Sequence, residues 1–550
     1  MYQYPSEERD LLQRRVAQFR GQVDRYLDGK LDEDEFKQLR LRNGLYMQRH
    51  APMLRVAIPY GLLSSQQLRK LATIATKWDR GYGHMTTRQN IQYNWIPLES
   101  TPDVMQSLAD DDMHAIQTSG NCIRNITTDP IAGASADEYE DPRPWCELIR
   151  QWANFHPEFN WLPRKFKIAV SGAEHDRAAI EVHDIGLRIK HNARGEAVFD
   201  VYVGGGLGRT PHIGKAIAHA LPADDLLPYL EAILRVYNRH GRRDNMYKAR
   251  IKILVNALGL ATFQEQVDAA WQQTRLHVPP IDPAHLADLK AQFAVELPER
   301  DAIALDTLGA DLGDAFTRWV KQNTRPHKQA GYRTVFVSLK HPGQPAGDIT
   351  DAQMHLIADL SDQYSQGELR ATHDQNLVLA HVSEADLPAL WQALAPAKLA
   401  YPNIDTLTDM IVCPGLDYCS LANASSIAIW DQINATFDQI DYLHDLGRIT
   451  VRVSGCMNAC GHHHVADIGV LGVEKKGVEW YQLTLGGRSS EGARIGQRLG
   501  PAIAKDRVAA TVEEILAVFA EQREPDESFN AFVERNGVAP FKERVYETAA

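Results

Sequence analysis

Lys165-Phe-Lys-Ile-Ala-Val-Ser-Gly172 returns in the second half of the chain as Ile449-Thr-Val-Arg-Val-Ser-Gly455. Each is a short run rich in β-branched residues that ends on glycine, the pattern of a strand entering a turn. The repetition extends in both directions. Downstream, Glu181-Val-His-Asp-Ile-Gly186 answers to Val465-Ala-Asp-Ile-Gly469, and Val201-Tyr-Val-Gly-Gly-Gly206 to Leu483-Thr-Leu-Gly-Gly-Arg488. Upstream, Leu54-Arg-Val-Ala-Ile-Pro-Tyr-Gly61 parallels Thr334-Val-Phe-Val-Ser-Leu-Lys-His-Pro-Gly343. Each of these is followed by an amphipathic helix pattern, Ser65–Ala75 and Asp351–Leu360, and then by a second strand, Arg88–Tyr93 and Asp374–Leu379. The two halves share one strand–helix plan. The expectation is an α+β protein with a pseudo-two-fold internal repeat: a small sheet-and-helix unit and a larger α+β unit in each half. The small units span about 51–115 and 331–400, and the larger ones about 116–330 and 401–550.

Residues 1–50 precede the repeat. Helices are expected over Ser6 to about Leu27 and around Asp32–Arg42, with Asp32 placed to cap the second. The segment reads as an arm packed on the body. A chain of 550 residues is too long for a single core and calls for about three or four domains. Hydrophobic content of 44% and charged content of 24% are those of an ordinary globular protein. A net charge of −12 argues against nonspecific nucleic-acid binding. The N-terminal Met1-Tyr-Gln-Tyr-Pro-Ser-Glu-Glu-Arg-Asp10 has no apolar run, and no stretch reaches the length of a membrane span. A cytoplasmic location, with no membrane partner, is expected.

The copies differ where chemistry is concerned. Only the second carries Cys413-Pro-Gly-Leu-Asp-Tyr-Cys419 and Cys456-Met-Asn-Ala-Cys460-Gly461. Four thiolates in two close pairs suit a polynuclear iron–sulfur cluster. The C-x5-C spacing is wider than the usual first pair of a structural zinc site. The C-x3-C pair is read as one helical turn, with both sulfurs on one face. Taken alone, the cysteines leave zinc open, with His462, His463 and His464 nearby, and also buried free thiols. Cys122 and Cys146 read as ordinary buried thiols.

Only the first copy carries a matching set of cations, in Thr86-Thr-Arg-Gln-Asn90, Asn121-Cys-Ile-Arg-Asn125 and Pro163-Arg-Lys-Phe-Lys167. Lys165 and Lys167 stand two apart on a strand pattern, so both point to one face. Taken singly, Arg88 and Arg124 would usually be surface ion-pair partners, and the two lysines a solvent-facing strand edge.

These cysteine and basic motifs together resemble the sirohaem/[4Fe–4S] sulfite and nitrite reductases, closest to the assimilatory sulfite reductase haemoprotein subunit, over nearly the whole chain. The resemblance implies two ferredoxin-like half-units and two larger units that hold the cofactors between the halves. It implies that Cys413, Cys419, Cys456 and Cys460 hold the [4Fe–4S] cluster, with Cys460 bridging to the sirohaem iron. Arg88, Arg124, Lys165 and Lys167 become the substrate-facing set. In that family Lys-x-Lys goes with sulfite and Lys-x-Asn with nitrite, so Lys165-Phe166-Lys167 favours reduction of sulfite to sulfide, with nitrite to ammonia as the alternative.

Sirohaem carries many carboxylates, so Arg164, Arg250 and Lys252 are candidates for its periphery. Asn458 is expected to shape the cluster loop. The glycine loops, with Gly205, Gly206 and Arg209 in one and Gly486 and Gly487 in the other, could present N–H groups to anions or be plain turns. The first does not complete a dinucleotide fingerprint: the G-x-G-x-x-G frame from Gly204 ends on Arg209, and that from Gly206 on Pro211. No flavin or NADPH domain is visible, so electrons are expected from a ferredoxin or from an NADPH-dependent flavoprotein subunit. A zinc protein without catalysis and a degenerate electron-transfer subunit are the non-catalytic alternatives. The first leaves the basic motifs unexplained, and the complete basic set argues against the second.

Overall fold

Thr86–Asn90 and Thr372–Asn376 fold into the same turn. In a computed structural model of the chain, describing residues 2–547 other than 155, 310 and 438, Gln89 and Gln375 both take left-handed backbone, at φ 54° and 62°. The N–H of Thr86 donates to the Asn90 carbonyl at 2.9 Å, and that of Thr372 to the Asn376 carbonyl at 2.9 Å. Each glutamine then reaches into the other half: Gln89 Nε2 donates to the Ala371 carbonyl at 3.0 Å, and Gln375 Nε2 to the Met85 carbonyl at 2.9 Å. The sequence repeat is thus a spatial pseudo-two-fold, and the α+β class is as expected.

The halves also exchange strands. One antiparallel sheet runs Leu45–Met47, Pro52–Val56, Ile91–Tyr93, Tyr82–Met85 and, from the second half, Asp348–Thr350. Its counterpart runs Thr324–Pro326, Tyr332–Val337, Leu377–Ser383, Glu368–Ala371 and, from the first half, Leu62–Ser64. A helix begins directly after each exchanged strand, at Ser65–Trp78 and Asp351–Tyr364. Each has a reciprocal capping box, Ser64 with Gln67 and Thr350 with Gln353. The two helices pack on one another, and Arg69 of the first meets Asp359 and Asp362 of the second at 2.6 Å. One hydrophobic core therefore serves both small sheets, joining Leu54 and Ile91 to Leu369 and Leu379.

The N-terminal arm lies on that same core. Helix Ser6–Leu27 buries Leu12, Val16, Phe19 and Val23, one stripe at helical spacing. Asp32 caps helix Glu33–Arg40, as its position in the sequence suggests.

The two larger units have separate cores and matching mixed sheets. In the first, Thr127–Thr128, Ile168–Ser171 and Ile185–His191 are parallel, and Ala197–Val203 and Lys215–Pro222 return antiparallel. In the second, Ile411–Val412, Val451–Ser454 and Ile468–Lys475 are parallel, and Val478–Leu485 returns antiparallel. The registers agree, with Ile168 opposite Ile185 in one sheet and Val451 opposite Ile468 in the other.

Candidate active site

Lys165 and Lys167 sit at the mouth of strand Ile168–Ser171, and both are half-buried. The parallel bridge of Ile123 to Phe166 lays the Arg124 segment alongside, with the Arg124 N–H donating to the Phe166 carbonyl at 2.7 Å. Arg124 donates to the carbonyls of Gly120 at 2.8 and 3.1 Å and Thr118 at 2.9 Å. Arg88 reaches the same place from its turn. Its guanidinium donates to the Thr127 hydroxyl at 3.0 Å and the Asn125 carbonyl at 2.6 Å, and stands 2.5 Å from His183 Nε2.

Burial pushes the Lys165 ammonium down to about 7, with Arg124, Arg250 and Arg164 adding to the shift and the Cys460 thiol opposing it. Burial also pushes Lys167 well below the ordinary lysine range, helped by Arg88, Lys165 and Arg250. Six cations thus act on one another. The carboxylate acting among them is Asp184, and Arg250 already holds it with contacts of 2.8–3.0 Å. A half-buried site with that excess of positive charge suits an anion.

The cysteines meet this site from the other half. Thr87, beside Arg88, donates to the Cys460 carbonyl at 3.0 Å. Cys413 follows strand Ile411–Val412, and its sulfur accepts from the Gly455 N–H at 3.1 Å. Burial and then Cys460 raise the Cys413 thiol to about 12; burial, with Cys460 adding, also raises Cys419 and Cys456. Cys460 thus lies within electrostatic reach of the other three thiols, and a metal bound by them would have to displace their protons. A Cβ on Gly455 would meet the Ala424 carbonyl at 2.5 Å and Gly415 Cα at 2.9 Å, so only glycine lets the two cysteine loops close together. Four thiolates are the donor set that an iron–sulfur cluster takes.

One local expectation is corrected. Cys456 and Cys460 are not on a helical turn. The segment is a tight irregular turn with Ala459 and His462 left-handed, at φ 55° and 59°. The turn doubles back so closely that a Cβ on Gly461 would stand 2.1 Å from the Val453 carbonyl.

The peripheral candidates separate. Arg164 is half-buried and lies within the electrostatic reach of Arg124 and Arg250. Lys252 is buried, and its ammonium donates to the carbonyls of Gly206, Leu207 and Thr210 at 3.2, 2.8 and 2.5 Å. It pins the first glycine loop from behind. The N–H groups of Gly206, Gly486 and Gly487 donate to the carbonyls of His212, Asp467 and Ala466, so these glycines turn their donors inward.

Gly205 and Gly487 serve close packing. A Cβ on Gly205 would meet the Glu181 carbonyl at 2.3 Å, and one on Gly487 the His464 carbonyl at 2.6 Å. The first loop nonetheless borders the cluster loop: a Cβ on Gly208 would lie 3.8–3.9 Å from the carbonyls of Met457 and Asn458. Arg209 and Asn458 are both exposed there.

Sequence reasoning missed His183 and Asp184, which hold Arg88 and Arg250. The signal lay in the repeat itself, since the Val-His-Asp-Ile-Gly echo keeps its aspartate in both copies and its histidine only in the first.

The family model for the nitrite and sulphite reductase 4Fe-4S domain matches residues 119–275 and 405–550, and that for the nitrite/sulfite reductase ferredoxin-like half domain matches 46–111 and 326–397. This chain belongs to the nitrite and sulfite reductase family. Among its relatives, a ferredoxin–nitrite reductase of Synechococcus elongatus is 29% identical over 84% of the chain and 85% of its own length. A sulfite reductase [ferredoxin] of Mycobacterium tuberculosis is 27% identical over 88% of the chain and 82% of its own. The solved structure of the Mycobacterium tuberculosis NirA protein superposes with a TM-score of 0.76 at 25% identity, covering 93% of the chain and 92% of that protein. The reductase is an oxidoreductase of the sirohaem type, with sirohaem and a [4Fe–4S] cluster as cofactors. No helix among the described residues is long and apolar enough to cross a membrane.

Proposed function

We propose that the reductase converts sulfite to sulfide in assimilatory sulfur metabolism, in the cytoplasm, with ferredoxin as its electron donor. The observation that carries the substrate is Lys167. It stands beside Arg88, Lys165 and Arg250, and a second lysine next to Lys165 suits the larger, more highly charged oxyanion over nitrite. Cys413, Cys419, Cys456 and Cys460 would hold the cluster, Cys460 would also hold the sirohaem, and Arg164 is placed for the sirohaem carboxylates. The bound cofactors supply single electrons and an open iron position for the substrate.

The side chains do the rest. Arg88 and Arg124, fixed by neutral acceptors, bind and orient the substrate oxygens. Lys165 and Lys167 share one cramped cationic site, so an arriving anion raises their proton affinity. They take up protons with the substrate and deliver them to oxygens that leave as water. Ferredoxin is favoured over an NADPH-dependent flavoprotein subunit by the names of the relatives. Leu421 and Met457, both exposed and each close in sequence to a cluster cysteine, mark where a donor would approach.

The test is kcat/KM for sulfite and for nitrite with a reduced viologen dye, which bypasses the donor. The expected result is at least an about tenfold preference for sulfite, or about 1.4 kcal/mol, with sulfide as product. A preference for nitrite overturns the substrate reading.

A further inference from the structure

Two consecutive residues hold the two arginines that flank Lys167, and they differ in charge. Asp184 takes the Arg250 fork with both oxygens and also accepts the Lys167 N–H at 2.8 Å. This pairing cancels the Arg250 charge. His183 stands 2.5 Å from Arg88 Nη1 through Nε2, while its Nδ1 lies 2.7 Å from the Ala179 carbonyl. A carbonyl only accepts, so Nδ1 carries the proton and Nε2 offers its lone pair to Arg88. Burial, Arg88 and Lys167 push the His183 imidazolium well below the ordinary range, consistent with a neutral ring. The other two acceptors on Arg88, the Thr127 hydroxyl and the Asn125 carbonyl, are also neutral.

The internal repeat provides a control. The second copy keeps the aspartate of this pair, where Asp467 accepts the Thr450 N–H at 2.8 Å just as Asp184 accepts that of Lys167. The histidine becomes Ala466, and the arginine of the turn becomes Asp374. Asp374 lines a cavity of about 520 Å³ that His183 borders as well. There the arginines are closed off by carboxylates, Arg452 by Asp374, and Arg325 and Arg448 by Asp405. His183 and Arg88 thus occur together, on the side where a cation is left uncancelled.

We propose that His183 is a positioning residue, a neutral acceptor that aims the Arg88 guanidinium at the substrate anion without cancelling its charge. A carboxylate would hold the guanidinium equally well but would compete with the substrate for it. The proposal rests on reading Arg88 as substrate-facing.

It is tested on holoenzyme carrying His183→Gln, His183→Glu or Arg88→Gln, each checked for sirohaem content by absorbance. Sulfite is titrated into the oxidised enzyme by its visible spectrum, and KM and kcat are measured separately. His183→Glu is expected to weaken sulfite binding and raise KM about tenfold or more, the scale of one charge-assisted hydrogen bond, while His183→Gln stays within about threefold. Equal effects of Gln and Glu, or none from Glu, overturn the proposal while Arg88→Gln still weakens binding. If Arg88→Gln leaves sulfite binding unchanged, the reading of Arg88 itself fails. Should His183→Glu not fold, Thr127→Asp places a carboxylate against the same Nη1 and carries the same expectation.

Discussion

In the proposed function, Lys167 is the side chain that favours sulfite over nitrite. Replacing it with asparagine keeps a hydrogen-bond donor on a shorter side chain and removes a cation from the group of Arg88, Lys165 and Arg250. Lys167→Asn is expected to lower the sulfite-to-nitrite ratio of kcat/KM by about tenfold or more, the scale of removing one charge-assisted hydrogen bond; an unchanged ratio, measured with the same dye donor, would remove the main argument for sulfite. Cys460 has a different kind of importance. It is exposed, whereas Cys413 and Cys419 are half-buried and Cys456 buried, and its carbonyl is tied to the Arg88 turn through Thr87. Cys460→Ser is expected to abolish reduction of either anion and to alter the visible spectrum. Full turnover in that variant would end its assignment as the bridge. The four cysteines and the set of Arg88, Arg124, Lys165 and Lys167 could be singled out in the sequence because each lies in a short motif. His183 and Asp184 were not, because their value depends on which distant arginines they meet.

Among the elements, the glycine loops show where motif reading stops. A strand followed by glycines suggests N–H groups presented to an anion. Here the glycines admit the backbone of Glu181–His183 and, in the second copy, of His464–Ala466. Gly205→Ala would force a Cβ to within 2.3 Å of the Glu181 carbonyl. A cost of about 2–3 kcal/mol is expected, visible as a lower Tm, and an unchanged Tm would contradict the packing role. The N-terminal arm has its own sensitivity. Tyr4 of the arm stacks on His114 at 6.0 Å, and burial, followed by Arg150, pushes His114 down to about 3 from an ordinary 6.5. Between those values the unfolded chain binds a proton that the folded protein does not, so this contribution to stability is complete above about pH 6.5 and is lost as pH falls. The fall in Tm between pH 7 and pH 5 should be smaller in His114→Leu than in the parent protein; equal falls would show that another group governs it.

At the scale of the molecule, the exchanged strands make the two halves interdependent. Leu62–Ser64 completes the second half's sheet and Asp348–Thr350 the first's. Leu63 and Ile349 are buried there, each worth about 1.5–3 kcal/mol. A chain cut between Phe293 and Gly313, where no helix or strand runs among the described residues, is expected to remain one particle, while either piece expressed alone is insoluble. Two soluble, separately folded pieces would show that the exchange is dispensable.

The sequence alone determined the α+β class, the doubling of the chain, the arm helices and the motifs that carry the cysteines and cations. These follow from local periodicity and from internal comparison, which need no knowledge of what lies across the fold. Only the tertiary structure decided that the sheets trade strands, that the Cys456–Cys460 turn is irregular, that Lys252 is occupied with carbonyls, and that Arg250 is neutralised while Arg88 is not. Each of these depends on a partner more than forty residues away in the chain or on a close backbone approach. The local pattern of a segment does not encode which distant charge or carbonyl it will meet.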